Sequence, residues 1–113
     1  MPESCLFCRI VAGEIPAQVV AQNDACVAFR DLAPQAPLHV LVVPRAHVAS
    51  LGEATDATTV GQVALLAAQV AREAGYGERG FRTVMNDGPD AGQTVRHLHM
   101  HVLAGRELGW PPG

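Results

Sequence analysis

The sequence predicts a single α+β domain, an antiparallel sheet of about five strands with one long and one short helix, spanning residues 1–113. Three observations carry that expectation. The chain has 113 residues, 49% of them hydrophobic and 17% charged, enough for one core and too few for two. Short β-branched runs cluster on both sides of one long stretch of helical period, instead of alternating with helices as βαβ units would. No internal repeat, linker or low-complexity block interrupts the chain.

Each element has a local cause. Residues 5–12 read as a short amphipathic helix ending at Gly13, followed by a turn, because Pro16 disfavours the helical conformation at Ile15. Residues 19–22 and 26–30 read as two strands joined by the turn formers Asn23-Asp24-Ala25. Pro34 and Pro37 make residues 31–37 irregular, and the β-branched run 38–43, stopped by Pro44, is the expected central strand. Thr55 or Asp56 caps a helix that runs to Ala74, with Val60, Val63, Ala64, Ala67, Val70, Ala71 and Ala74 on one face and Gly75 just past the end. A strand at 81–85, a Gly-, Asp- and Pro-rich loop at 86–93 and a strand at 95–103 complete the expectation.

Charge narrows the function classes. Eleven acidic residues face eight basic ones, all Arg, for a net charge of -3, and no basic stripe exists to hold nucleic acid. One Trp, one Tyr and three Phe are too few for an interleaved base-stacking platform. No apolar run reaches the ~18 residues of a membrane span, and the N-terminus lacks the basic flank and apolar stretch of a secretory signal, so a cytoplasmic location is expected. Three cysteines, two of them at Cys5-Leu6-Phe7-Cys8, suit a reducing compartment and a metal site better than a disulfide framework. Cys26, within a β run, reads as core.

Histidine is the conspicuous residue, at 39, 47, 97, 99 and 101. In a strand, His97-Leu98-His99-Met100-His101 sets three imidazoles on one face at intervals of about 6.6 Å. Two chemistries use such a face. All three imidazoles can bind one catalytic metal, or one can act as nucleophile on phosphorus while its neighbours hold the phosphoryl oxygens. The preceding loop favours the second, because Asn86 and Gly92-Gln93-Thr94 offer an amide, close-approaching backbone and a hydroxyl, a cradle that a metal site has no use for.

The run His97 to Leu103 matches the His-φ-His-φ-His-φ-φ signature of the histidine triad (HIT) superfamily, φ being apolar, and the chain resembles its nucleotide-binding Hint branch. The likeness extends through Phe7 to Ala17, Phe29 to His39, Asn86 to Thr94 and the tail Gly109-Trp110-Pro111-Pro112-Gly113. It implies the HIT fold, a two-fold homodimer, and a hydrolase of purine nucleoside monophosphate derivatives, such as phosphoramidates, working through a covalent nucleotidyl-histidine. It also implies roles. His99 is the nucleophile, His101, Thr94 and His39 act on the phosphate or leaving group, and Asn86, Gly92 and Gln93 complete the phosphate site. Asp31 holds the ribose, and Phe7, Ile10, Ile15, Phe29 and Leu41 wall the base. Members with a similar cysteine pair hold a structural zinc, here through Cys5, Cys8, His47 and His97, and no catalytic metal is expected. Many members carry Ser where this chain has Thr94, which leaves the hydroxyl and narrows the leaving-group side. The different-class alternative is a nucleotide sensor or scaffold that uses the same pocket with only incidental hydrolysis.

Overall fold

The computed structural model describes residues 4–113. Its elements are α1 (Leu6–Val11), β1 (Val19–Gln22), β2 (Cys26–Arg30), β3 (Leu38–Pro44), α2 (Ala57–Glu73), β4 (Arg82–Val84) and β5 (Met100–Ala104). The five strands form one sheet in the order β1-β2-β3-β5-β4, with every neighbouring pair antiparallel. This is the expected α+β arrangement. No helix among the described residues is long and apolar enough to cross a membrane.

Most boundaries follow from local chemistry. Asn23 Oδ1 accepts from the N–H groups of Ala25 and Cys26, closing the β1–β2 turn. Cys5 caps α1, its sulfur accepting from the Cys8 N–H. Asp56 caps α2 through the Thr58 N–H, and Gly75 follows the helix at φ +93, a left-handed conformation suited to glycine. A turn of 3₁₀-helix at Leu51–Glu53 has no counterpart in the sequence expectation.

Central strand β3 explains the two-layer build. All seven of its residues are buried, because both faces of the strand are covered. Leu38, Val40 and Val42 face α2 and join Val63, Leu66, Ala67, Val70 and Ala71 in the main core. Each large aliphatic side chain there contributes about 1.5–3 kcal/mol by leaving water. The intervening Leu41 and Val43 face the opposite side, where Phe7 of α1 and Val27 and Phe29 of β2 form a second cluster. One face of the sheet carries the stabilising core, and the other is left to build the cleft described below.

Two expectations need correction. The α2 core face includes Leu66 and excludes the exposed Ala64 and Ala74, because Val63, Leu66, Ala67, Val70 and Ala71 form the i, i+3, i+4, i+7, i+8 stripe and alanine is tolerated on either side. The last strand starts at Met100, not at residue 95. Residues 95–99 leave the ladder because they are tied elsewhere: the Leu98 N–H donates to the Val48 carbonyl at 2.7 Å, and the His97 ring bonds the Pro44 carbonyl at 2.8 Å.

Candidate active site

A cleft of about 270 Å³ opens between α1 and the second face of the sheet. Phe7 and Ile10 of α1, Ile15, Phe29 of β2 and Leu41 of β3 supply its apolar walls, Asp31 and Leu32 its rim, and Thr94, Val95, His99 and His101 its reactive end. All five residues expected to wall a base line this one slot. Phe7 is the keystone: 4% exposed, it meets the rings of Phe29 at 5.5 Å, His97 at 6.0 Å and His99 at 5.0 Å, each nearly edge-on.

Hydrogen bonding to backbone groups fixes the tautomer of each critical imidazole. His99 Nδ1 lies 2.7 Å from the His97 carbonyl, an acceptor only, so Nδ1 carries the hydrogen and Nε2 keeps its lone pair. In the neutral ring Nε2 is thus the nitrogen available as nucleophile, and His99 lines the cleft. His39 Nδ1 accepts from the Gln35 backbone N–H at 3.0 Å, so its Nε2 carries the hydrogen and donates to His101 Nδ1 at 2.9 Å. His101 in turn keeps a hydrogen on Nε2. The antiparallel register makes this pairing possible: Leu41 sits opposite His101 and Leu103 opposite His39, so the two histidines are diagonal neighbours on one face.

Burial keeps these rings neutral. It pushes His101 down from its ordinary 6.5 to about 4, with His99 and His39 adding to the fall and Asp31 opposing it. His39 is lowered for the same reason, again against the pull of Asp31, whose Oδ2 lies 3.4 Å from His39 Nε2. At the reactive end burial therefore disfavours a proton on His39 and His101, and Asp31 favours it.

His97, first of the triad, belongs to a different constellation. Its Nε2–H donates to the Pro44 carbonyl at 2.8 Å, leaving Nδ1 as the lone-pair nitrogen. That nitrogen lies 3.4 Å from the sulfur of Cys5 and 3.4 Å from that of Cys8, while His47 Nδ1 lies 3.2 Å from Cys8. The four ligand atoms fall within 4.8 Å of one another, two thiols and two imidazoles in the donor set of a closed tetrahedral zinc site. Burial and the neighbouring Cys5 push the Cys8 thiol up to about 11.

Asp31, His39 and His101 also bring three ligand-type atoms within 4.8 Å. Here the tautomers disagree with a metal, since the Gln35 N–H obliges His39 Nε2 to hold a hydrogen. Among the described residues no metal-sized cluster combines His97, His99 and His101, because His97 turns towards the thiols.

The loop before the triad is built differently from the sequence expectation. Gln93 is buried, and its amide is used up internally: Nε2 donates to the carbonyls of Ala49 at 2.8 Å and Val95 at 3.1 Å, and Oε1 accepts from the Gly88 N–H at 2.9 Å and Arg96 at 3.0 Å. Its own N–H goes to the Gly88 carbonyl, and that of Gly92 to Pro89. Gln93 and Gly92 therefore shape the loop, and the Gln93 side chain is not free to touch a ligand. Asn86, half-buried, makes no side-chain hydrogen bond among the described residues, and Thr94 is exposed on the cleft wall. Arg96 and Asp87 brace the loop from outside, through Glu53 at 2.8 Å and the Gly52 N–H at 2.6 Å. The groups that sequence reasoning missed, the Gln35 N–H and the carbonyls of His97 and Pro44, are backbone atoms that carry no residue signature.

Comparison with known proteins agrees with this geometry. The HIT domain family model matches residues 12–108. An uncharacterized HIT-like protein of Synechococcus elongatus is 50% identical over 115 residues, covering 100% of both chains. Among solved structures, a HIT family hydrolase from Legionella pneumophila superposes with a TM-score of 0.94 at 42% identity, over 97% of this chain and 100% of that one. A Zn-bound histidine triad family protein from Mycobacterium smegmatis gives a TM-score of 0.82 at 34% identity, over 100% of this chain and 82% of that one. With a matching family model over most of its length, a relative half identical throughout and a hydrolase of the same fold, the chain belongs to the HIT family.

Proposed function

We propose that the chain is a nucleotide hydrolase that cleaves phosphorus–nitrogen bonds in purine nucleoside monophosphate derivatives through a covalent nucleotidyl-His99. The observation that carries this reading is the bond from His99 Nδ1 to the His97 carbonyl, which leaves Nε2 as a lone pair at the end of an apolar slot. The slot takes the base between Phe7, Ile10, Ile15, Phe29 and Leu41, and the Asp31 carboxylate at its rim accepts from the ribose hydroxyls. The α-phosphoryl group then meets His99, with Thr94 and the Asn86 amide around its oxygens and Gly92 and Gln93 shaping the loop that carries Thr94.

In the first step, with the His39–His101 pair carrying one additional proton, His99 Nε2 bonds to phosphorus, the P–N bond breaks, and the leaving nitrogen takes that proton through His101 Nε2 to depart as a neutral amine. In the second step water attacks the nucleotidyl-imidazole, the N–P bond breaks, and one water proton returns to the His101–His39 pair. His99 regains its lone pair. Splitting one slow displacement into two through a labile phosphoramidate is the advantage of an imidazole nucleophile.

Cys5, Cys8, His47 and His97 hold a structural zinc, a reading supported by the donor set and by the zinc-bound relative. The metal supplies a rigid crosslink between α1 and the residues before β5. Since His97 offers its ring to this cluster and its carbonyl to His99, the crosslink fixes the nucleophile's support. The protein acts in the cytoplasm as a homodimer paired through α2, where Leu65 is 67% exposed.

The test is turnover of an adenosine 5′-phosphoramidate by wild type and His99→Ala, with AMP binding measured on both. Turnover should fall by at least about 10³-fold while binding survives. Equal turnover in the variant would overturn the covalent mechanism, and a wild type that binds AMP without turnover would establish the sensor alternative.

A further inference from the structure

The carboxylate of Asp31 faces two ways. Its Oδ1 accepts from the Ala33 N–H at 2.8 Å, closing an Asx turn, and its Oδ2 lies 3.4 Å from His39 Nε2, a nitrogen already donating to His101 at 2.9 Å. The His39 side chain is 5% exposed and that of Asp31 20%, so little water screens the pair. Besides these, the titratable group facing the two rings is His99, whose ring lies 5.2 Å from that of His101. Asp31 is the one carboxylate acting on either ring among the described residues.

Proton accounting gives this contact a consequence. A neutral His101 can release its Nε2 proton to a leaving amine only if Nδ1 gains one from His39. That transfer would strip His39 of its last ring proton, since Nδ1 is held as an acceptor by the Gln35 N–H. The pair must therefore carry one additional proton before the amine leaves. Burial works against the cation, and a fixed anion beside His39 works for it.

We propose that Asp31, besides binding ribose, is the positioning anion that lets the His39–His101 pair hold the proton delivered to the leaving group. The inference rests on the phosphoramidase reading above. It concerns the atoms Asp31 Oδ2, His39 Nε2 and His101 Nε2, and leaves the attack of His99 on phosphorus unchanged.

The test removes the ribose from the comparison. Wild type, Asp31→Asn and Asp31→Glu are assayed on an adenosine 5′-phosphoramidate and on its 2′,3′-dideoxy analogue, which has no hydroxyls for Asp31 to bind, using single-turnover conditions. Asn keeps the Asx-turn acceptor, and equal urea midpoints establish that the variant is folded. If Asp31 only binds ribose, Asp31→Asn leaves the dideoxy rate unchanged. The proposal expects that rate to fall about tenfold near neutral pH, with the alkaline limb of the pH profile moving down by about one pH unit and Asp31→Glu restoring part of the loss. With the 2′,3′-dideoxyadenosine 5′-(4-nitrophenyl) ester, whose leaving group departs without a proton, the loss in the Asn variant should be several-fold smaller than with the dideoxy phosphoramidate. An unchanged dideoxy rate and pH profile, or an equal loss with 4-nitrophenolate, overturns the proposal. Failure of the underlying reading shows separately, as a wild type inactive on both phosphoramidates or a His99→Ala variant that remains active.

Discussion

Replacing Gln93 with Met tests whether this residue builds the phosphate-side loop or binds the ligand. The side chains are similar in length, so the substitution removes four hydrogen bonds, to Ala49, Val95, Gly88 and Arg96, without opening a large cavity. At about 1 kcal/mol net for each bond, with some partners regaining water at the loop surface, the expected loss is about 2–4 kcal/mol. That is a large share of the roughly 5–15 kcal/mol total of a small domain. Urea denaturation should show a lower midpoint with an unchanged slope. Calorimetric titration supplies the functional half. Adenosine, held by the slot and Asp31, should bind as in wild type, whereas AMP, which also needs Thr94 and Asn86 in register, should lose affinity. A variant as stable as wild type that nonetheless loses AMP would refute the argument, because the amide would then have been touching the ligand.

Stability should fall on acidification. His39 and His101 have lowered values in the folded chain, so between the ordinary 6.5 and about 4 the unfolded state binds more protons, and stability present above pH 6.5 is lost as pH falls through that window. A urea midpoint at pH 5 equal to that at pH 7 would contradict this, and His101→Asn should flatten the dependence. Cys8→Ser removes one donor of the thiol–imidazole cluster, and elemental analysis should show zinc falling from about one per chain to a small fraction, with a lower melting temperature. Wild-type protein purified without zinc and insensitive to chelation would refute the metal reading. Gly105→Ala should destabilise by about 2–4 kcal/mol, from left-handed strain and overpacking. A Cβ there, at φ +98, would lie 2.7 Å from Pro37 Cβ and 3.0 Å from the Tyr76 hydroxyl, and a variant melting like wild type would show that the β3 entry yields freely.

The elements were legible in the sequence where one short-range force sets them. β1, β2 and α2 follow from the Asn23 turn, the Asp56 cap and Gly75, each a bond or backbone preference within a few residues. The slot was legible only through the resemblance to the histidine triad family, which implied its wall residues, and strand pairing sets Phe29 directly opposite Leu41 on one face. The last strand was over-extended because alternation records which side chains share a face and says nothing of ladder partners. Residues 95–99 satisfy their polar groups against 44–48 instead. Gln93 was misassigned for a similar reason, since an amide in a Gly-rich loop suits a ligand or a buried staple equally well until its partners are known.

The sequence by itself determined the domain class and the family signature, and the resemblance carried by that signature implied the apolar wall residues and the two sets of chemistry-bearing side chains. The resemblance implied how the five histidines divide between them, and only the tertiary structure supplied the physical cause. Each imidazole's role depends on which of its nitrogens is protonated, and that is set here by backbone atoms: Pro44, far off in the chain, for His97, Gln35 in the preceding loop for His39, and the bend that brings the His97 carbonyl to His99. A peptide N–H or carbonyl is the same group at every position, so only the fold can say which histidine it faces.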